Sequence, residues 1–338
     1  MALIREAESR FIELLNQLNE PVNRNLQKYQ GFMYLRPALT SVHTMKKYFD
    51  SKMSDIRYVI DSIEGNEIYD AGCGSGSFSI LLSYLGAKKV IAVDFLDDAI
   101  VMTKKLVELA GIKNVEVVKG DIAEILKQKR RVDGIFSIEA ISHYRNYKAF
   151  LRGAAECLGP GCFLVIRDGN NAASKSIRSK TYEIWDHFER NTFQCTIHGH
   201  QKGDGCYLKM REAIIKESFP SLTIEQIRNY AEWTFAYSRD NVIKAVTLFL
   251  KNDVSMRSEY AFAKCPLDPS TDLYMEYLIN PYELKKELIE LGFESSVKSL
   301  GPVRRQFFLI RYWWELLSAI TIYTPRPFLL IARKQCPN

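Results

Sequence analysis

The chain has 338 residues, 46 Lys plus Arg against 40 Asp plus Glu, and 47% hydrophobic residues. Such a composition belongs to a folded chain large enough for one elaborated domain or two small ones, and it excludes disordered, collagen-like and disulfide-scaffold classes. A net charge of +6 falls well short of the dense basic stripe that a phosphate backbone demands, so nucleic acid is an unsupported partner.

At the N-terminus, Arg5, Glu6, Glu8 and Arg10 leave no apolar run for a secretory signal, which implies a cytoplasmic address. Residues 1–63 alternate charged and apolar positions at helical spacing, with breaks at Pro21 and over Gly31 to Pro37, and predict a helical N-terminal extension. From Asn66 the period changes. Ile68-Tyr69-Asp70 reads as a strand, and Phe78, Leu81, Leu82 and Leu85 then mark a helix closed by Gly86. A second strand spans Val90 to Asp94, and a second helix spans Asp97 to Ala110 with acids in its positive first turn. A third strand (Val115 to Val118), a fourth (Gly134 to Ile138), a helix (Asn146 to Leu158) and a fifth strand (Cys162 to Arg167, after Gly159-Pro160-Gly161) follow. Strands separated by helices of this length pair in parallel through right-handed crossovers, which predicts a doubly wound α/β sheet.

After Asn170 the alternation stops. The segment 171–279 reads as a helical insertion, clearest at Val242, Ala245, Val246, Phe249 and Leu250. The α/β pattern returns at Asn280-Pro281-Tyr282-Glu283, which places an N-cap, an N1 proline and an N3 glutamate. Leu284, Leu288 and Leu291 continue that helix to Gly292, followed by strands over Phe293 to Leu300 and Pro327 to Lys334, with an aromatic helix, Phe307 to Ile320, between them. The domains are therefore 1–63, a sheet-bearing core over 64–170 and 280–338, and the insertion 171–279.

Between the first strand and its helix lies Asp70-Ala71-Gly72-Cys73-Gly74-Ser75-Gly76, where glycines admit a ligand to the backbone and a helix N-terminus offers N–H groups. Ser77 and Ser79 break the G-x-G-x-x-G dinucleotide spacing, and no Gly-Lys-Ser/Thr follows for a P-loop. An acidic residue ahead of G-x-G-x-G resembles the first motif of class I S-adenosylmethionine-dependent methyltransferases. The resemblance continues through Asp94 and Phe95 at the end of strand two and through Gly120-Asp121-Ile122 after strand three. It implies a seven-stranded, mostly parallel sheet and S-adenosyl-L-methionine as cofactor. Asp94 would hold the ribose hydroxyls, Asp121 and the Ile122 amide would face the adenine, and Gly72, Gly74 and Gly76 would take the methionine end. It covers 66–168 well, 280–334 by pattern, and neither the N-terminal helices nor the insertion. Each carboxylate has a plainer reading as a cap on the helix that follows it.

Glu139-Ala140-Ile141-Ser142-His143 follows strand four, beside the place where the sulfonium sits in this fold. The Pro-Pro-aromatic motif usual in base methyltransferases is missing, and the Glu…His arrangement is similar to that of small-molecule and lipid methyltransferases. His143, with an unperturbed pKa of about 6.5, is the candidate base for an acceptor hydroxyl. The alternative is that it caps its loop or contacts the cofactor. Glu139 is expected to line the cofactor, to orient His143, or to stabilise a cation in carbon methylation.

The seven cysteines are odd in number and scattered, which argues for a reducing compartment rather than a disulfide framework. Cys195, His198, His200 and Cys206 match no usual zinc spacing, and the expected metal content is none. Those histidines then belong to a loop touching the acceptor or to a plain surface loop. The insertion reads as a cap for the acceptor, although Trp185, Phe188, Tyr207, Trp233, Phe235 and Tyr237 serve mainly as its own small core. Phe307, Phe308, Tyr312, Trp313 and Trp314 lie near Arg304, Arg305 and Arg311, a pattern open to peripheral membrane contact, core packing or a homodimer interface. Arg311, Glu315, Pro325, Arg326 and Pro327 interrupt that stretch, so no segment is expected to span a membrane. Residues Tyr29 to Pro37 are a candidate lid over the cofactor. The favoured activity is O-methylation of a small molecule or saccharide; C-methylation of a lipid or isoprenoid, and cofactor binding without turnover, are the alternatives.

Overall fold

The computed structural model describes residues 2–190, 206–251, 265–270, 273–299 and 326–336. By its internal contacts the chain divides into one unit of residues 1–141, 147–169 and 280–338 and a second of residues 142–146 and 170–279.

The first unit begins with helix α1 (Ala2–Leu18), a 3-10 segment (Pro21–Lys28), α2 (Gln30–Leu35), a second 3-10 segment (Arg36–Thr40) and α3 (Val42–Ile56). In α1 the apolar stripe Ala7, Phe11, Leu14, Leu15 and Leu18 is buried, and the Phe11 ring lies against Phe49 and Tyr48 of α3. Ser41 starts α3 through a reciprocal box, its hydroxyl accepting from the Thr44 amide at 3.2 Å while Thr44 Oγ1 accepts from the Ser41 amide at 2.9 Å. The break expected over Gly31 to Pro37 is instead helical. Gly31 lets α2 come close there, since a Cβ would lie 3.2 Å from the Ser75 Cα, tighter than an ordinary contact. Pro37 sits in the first turn of a 3-10 segment, where its missing N–H costs nothing.

The sheet follows with β1 (Glu67–Ala71), α4 (Ser77–Tyr84), β2 (Lys89–Asp94), α5 (Asp97–Leu109), β3 (Val115–Lys119), α6 (Ile122–Leu126), β4 (Val132–Ile138), α7 (Tyr147–Cys157) and β5 (Leu158–Asp168). β5 starts before the expected turn, since Leu158 already pairs with Val132 and the Gly159-Pro160-Gly161 stretch becomes an irregularity within the strand pairing. In the second unit come α8 (Lys175–Arg190), α9 (Tyr207–Ser218), α10 (Ile224–Trp233), α11 (Arg239–Leu250) and a short hairpin of β6 (Leu267–Asp268) and β7 (Leu273–Tyr274), which the helical reading of the insertion did not foresee. The first unit then resumes with α12 (Pro281–Glu290), β8 (Phe293–Ser299) and β9 (Phe328–Lys334).

Among the described residues the main sheet has seven strands in the order β3-β2-β1-β4-β5-β9-β8. The run from β3 to β5 is parallel, and β9 is antiparallel to both its neighbours. This is the expected doubly wound, mostly parallel α/β sheet. The N-terminal helices are continuous with its core: Phe11, Leu15 and Phe49 share one apolar cluster with Ile68, Phe136 and Val165. The second unit has a separate core around Ile215, Ala231, Val242, Ala245 and Val246. Phe249 and Leu250, expected in that stripe, are exposed at the end of α11, where Phe249 packs on Tyr230 and Trp233 instead. Trp185, Phe188, Tyr207 and Tyr237 are buried, whereas Trp233 is exposed. No described helix is long and apolar enough to cross a membrane. Cys195, His198, His200 and the stretch from Arg304 to Ile320 lie outside the described residues.

Candidate functional site

The carboxyl ends of β1, β2 and β3 bring the expected loop residues together in the first unit. Gly72, Gly74 and Gly76 all have positive φ, at +81°, +54° and +77°. At Gly76 a side chain is excluded outright, because a Cβ would lie 2.6 Å from the Thr103 methyl of α5. The Gly72 and Cys73 amides donate to the Val93 carbonyl, both at 2.9 Å, which ties the loop to the end of β2. Among the described residues other than its chain neighbours, none has an atom within 4 Å of the place a Gly74 Cβ would occupy.

Asp94 grips this loop. Its Oδ2 accepts from the Gly74 amide and its Oδ1 from the Leu96 amide, each at 2.9 Å. Phe95, the next residue, exposes about a third of its surface, at 37%. At the end of β3, Asp121 caps α6 by accepting from the Ala123 amide at 2.8 Å, and Ile122 begins that helix, buried. The capping reading of these carboxylates therefore describes bonds that Asp94 and Asp121 do make, without using up a carboxylate's capacity to accept more.

Asp70 is different. It is buried in β1, its Oδ2 accepts from the Ser79 hydroxyl of α4, and burial pushes its pKa up to about 6. From α3, Tyr48 Oη meets Ser77 Oγ at 2.8 Å, and Ser77 Oγ meets Ser75 Oγ at 3.0 Å, a hydroxyl chain along the loop. Lys52, also on α3, lies over the Tyr48 and Phe78 rings.

Glu139 leaves β4 in a left-handed conformation, φ +53°. Its Oε1 meets Arg167 Nη2 at 3.1 Å and its Oε2 accepts from the Gly169 amide at 2.8 Å. Arg167 Nη1 in turn reaches Asp55 of α3 at 2.8 Å. Asp55 is fully buried, and burial pushes its carboxyl above the usual range, with the Arg167 guanidinium partly offsetting this.

In the second unit, His143 ends a short 3-10 turn, Ile141–His143. Its Nε2 lies 3.4 Å from Glu276 Oε1. Glu276 Oε2 accepts from Asn170 Nδ2 at 2.8 Å, and the Glu276 carbonyl accepts from Trp185 Nε1 at 3.3 Å. Glu276 too is left-handed, with φ +76°. Sequence reasoning missed Glu276, Asn170, Asp55 and Arg167. A signal for Glu276 existed, since it is the lone charge in the otherwise apolar and aromatic stretch Leu273 to Ile279. Cys206, one of the four candidate metal ligands, is buried at the start of α9 within the second unit's core.

The comparisons with known proteins point the same way. Residues 63–220, just under half the chain, match a family model described as a methyltransferase domain. The chain is 32% identical over 141 residues to the ribosomal protein L11 methyltransferase of Acetivibrio thermocellus, covering 41% of this chain and 40% of that protein. It is 29% identical over 104 residues to the ubiquinone biosynthesis O-methyltransferase of Azorhizobium caulinodans, covering 31% of this chain and 40% of that protein. The chain thus spans about 40% of the length of these curated relatives. A solved S-adenosylmethionine-dependent methyltransferase from Archaeoglobus fulgidus aligns with 90% of this chain and 99% of its own, at 15% identity and a TM-score of 0.44. The matched region takes in the glycine loop, the ends of β2 and β3 and the exit of β4, and through it this chain carries an S-adenosylmethionine-dependent methyltransferase domain of the class I fold.

Proposed function

We propose that the chain methylates an oxygen of a small-molecule or saccharide acceptor in the cytoplasm. Asp94 and Phe95, Asp121 and Ile122, Glu139, and the loop from Asp70 through Gly72, Gly74 and Gly76 would hold S-adenosylmethionine. The bound cofactor supplies a methyl group on sulfonium, open to in-line displacement.

The residues present fit that group. Asp94 and Asp121 are acceptor-only carboxylates at the strand ends, suited to hydroxyl and amine donors. The space beside Gly74, clear of described residues other than its chain neighbours, leaves room for a ligand against the backbone. Phe95 offers an exposed ring beside Asp94. Six described cysteines are free, in keeping with a reducing compartment.

The choice of oxygen rests on one observation, the placing of a carboxylate 3.4 Å from the His143 imidazole in the segment that follows β4. A hydroxyl must lose its proton as it is methylated, and a histidine supported by a carboxylate is suited to take it. Glu139, which would serve carbon methylation by steadying a cation, has both carboxylate oxygens directed at Arg167 and the Gly169 amide. The segment 171–279 is assigned to acceptor selection, since the chain leaves the sheet for it after β5.

The test is release of S-adenosylhomocysteine on addition of hydroxyl-bearing acceptors. With an active acceptor, His143→Ala should lower kcat by about 10²- to 10⁴-fold with little change in cofactor affinity. A variant with wild-type kcat would turn the reading toward carbon methylation. Cofactor binding with no turnover on any acceptor class would favour a binding protein.

A further inference from the structure

We propose that Lys52, on α3 of the N-terminal extension, is a cofactor-binding residue: its ammonium pairs with the carboxylate at the methionine end of S-adenosylmethionine. The inference rests on the cofactor assignment and adds a residue that the loops of the sheet do not supply. Every group it uses belongs to the first unit.

One charge of the cofactor is otherwise unanswered. S-adenosylmethionine carries a sulfonium, an ammonium and a carboxylate, and the oxygens of Asp94 and Asp121 can only accept hydrogen bonds. A carboxylate needs donors, and cationic donors bind it best. The segments that follow β1, β2 and β3 (residues 72–84, 95–103 and 120–126) contain neither lysine nor arginine. The cation has to come from another part of the unit.

Helix α3 brings one. Tyr48, Lys52 and Asp55 are four and then three residues apart, and so share one face of the helix. Tyr48 Oη meets Ser77 Oγ of α4 at 2.8 Å, and Asp55 accepts from Arg167 Nη1 of β5 at 2.8 Å. These bonds lie about one turn before and one turn after Lys52, and they fasten α3 to the glycine loop on one side and to β5 on the other. Between them, Lys52 Nζ lies 5.3 Å from the centre of the Tyr48 ring and 5.6 Å from that of Phe78, in the first turn of α4. The Tyr48 anchor continues into the loop itself, because Ser77 Oγ meets Ser75 Oγ at 3.0 Å, between Gly74 and Gly76.

The electrostatics agree with this placing. Burial raises the pKa of Asp70 in β1 and of Asp55, and the Lys52 ammonium is among the charges that oppose the rise in both. Its field therefore reaches the strand from which the glycine loop departs. Lys52 is half-buried, and among the described residues no carboxylate stands within ion-pair distance of Nζ. The ring faces attract a cation yet leave its N–H donors for an anion. An aromatic-lined ammonium beside a loop without cations of its own is suited to a carboxylate delivered by the ligand.

The experiment is calorimetry of the full chain with two ligands that differ at the methionine end. S-adenosylhomocysteine has the carboxylate; 5′-methylthioadenosine keeps adenine, ribose and thioether and lacks the amino-acid end. The parent chain should bind the first more tightly. Lys52→Met, which keeps a side chain of similar length without the charge, should weaken S-adenosylhomocysteine by about 10- to 100-fold and leave methylthioadenosine within about twofold. Lys52→Arg, which restores the charge, should bind S-adenosylhomocysteine within about tenfold of the parent. Asp94→Ala, in contrast, should weaken both ligands alike, since both carry the ribose. Unchanged S-adenosylhomocysteine affinity in Lys52→Met would overturn the proposal. An equal loss for the two ligands would overturn it as well, leaving Lys52 as a residue that steadies α3. A parent chain that binds neither S-adenosylmethionine nor S-adenosylhomocysteine would instead overturn the cofactor assignment, and the part given to Lys52 with it.

Discussion

Two glutamates of this chain share an unusual backbone and differ in what their carboxylates meet. Glu139, at the exit of β4, has φ +53°, and Glu276, on the return from the insertion, has φ +76°. Glu139 meets permanent partners, the Arg167 guanidinium and the Gly169 amide, and through Arg167 it is linked to the buried Asp55 of α3. Glu276 accepts from the neutral Asn170 amide and lies 3.4 Å from the His143 imidazole. The same backbone device thus ties the exit of β4 to Arg167 and Gly169 in one region and sets a carboxylate beside an imidazole in the other. A left-handed residue marks a place where the surroundings impose a conformation; its side chain's partners indicate whether that imposition serves the fold or the chemistry.

The contrast can be broken most sharply at Arg167. Arg167→Met would leave Asp55 buried without its cation and should cost about 3–5 kcal/mol of stability in denaturant unfolding. Glu276→Gly should stay within about 1 kcal/mol of the parent chain, the relieved strain offsetting the lost Asn170 bond. A loss under 1 kcal/mol in Arg167→Met would remove the structural half of the comparison.

Asp70 sharpens it, as a buried carboxylate whose described partner is a hydroxyl rather than a cation. Its pKa is raised from 3.8 to about 6, so between these values the folded state binds more protons than the unfolded one. Stability from this group is therefore highest at acid pH and declines as pH rises through the window. Asp70→Asn lacks the titration. Without cofactor, its stability relative to the parent should rise between about pH 3 and pH 7, by on the order of 3 kcal/mol. A flat difference across that range would mean that Asp70 ionises as freely in the fold as in the unfolded chain.

The division between what the sequence discloses and what it conceals follows sequence distance. The strand–helix alternation, the glycine loop, Asp94 and Asp121 are legible because each element and each bond is local: Asp94 binds Leu96, and Asp121 binds Ala123. Gly31 misleads, since a glycine read as a break proves to be the point where α2 approaches Ser75. Phe249 and Leu250 fit the helical period of α11 but fall at its end, outside the second unit's core, where Phe249 meets the exposed end of α10 at Tyr230 and Trp233. Arg167 ends an apolar strand like any solvated strand end, and only the delivery of Asp55 by α3 makes it a clamp. The Glu276–His143 pair forms because Tyr277 bonds to either side of His143, a long-range pairing that no local period encodes.

The claim on which the rest depends is that the strand-end carboxylates hold S-adenosylmethionine, and calorimetry of the full chain tests it most directly. S-adenosylmethionine or S-adenosylhomocysteine should bind, and Asp94→Ala should weaken that binding by about 1.5 to 3 kcal/mol as charge-assisted hydrogen bonds to the ribose are lost. Unchanged affinity in Asp94→Ala, or tighter binding of NAD than of S-adenosylmethionine by the parent chain, would contradict the account.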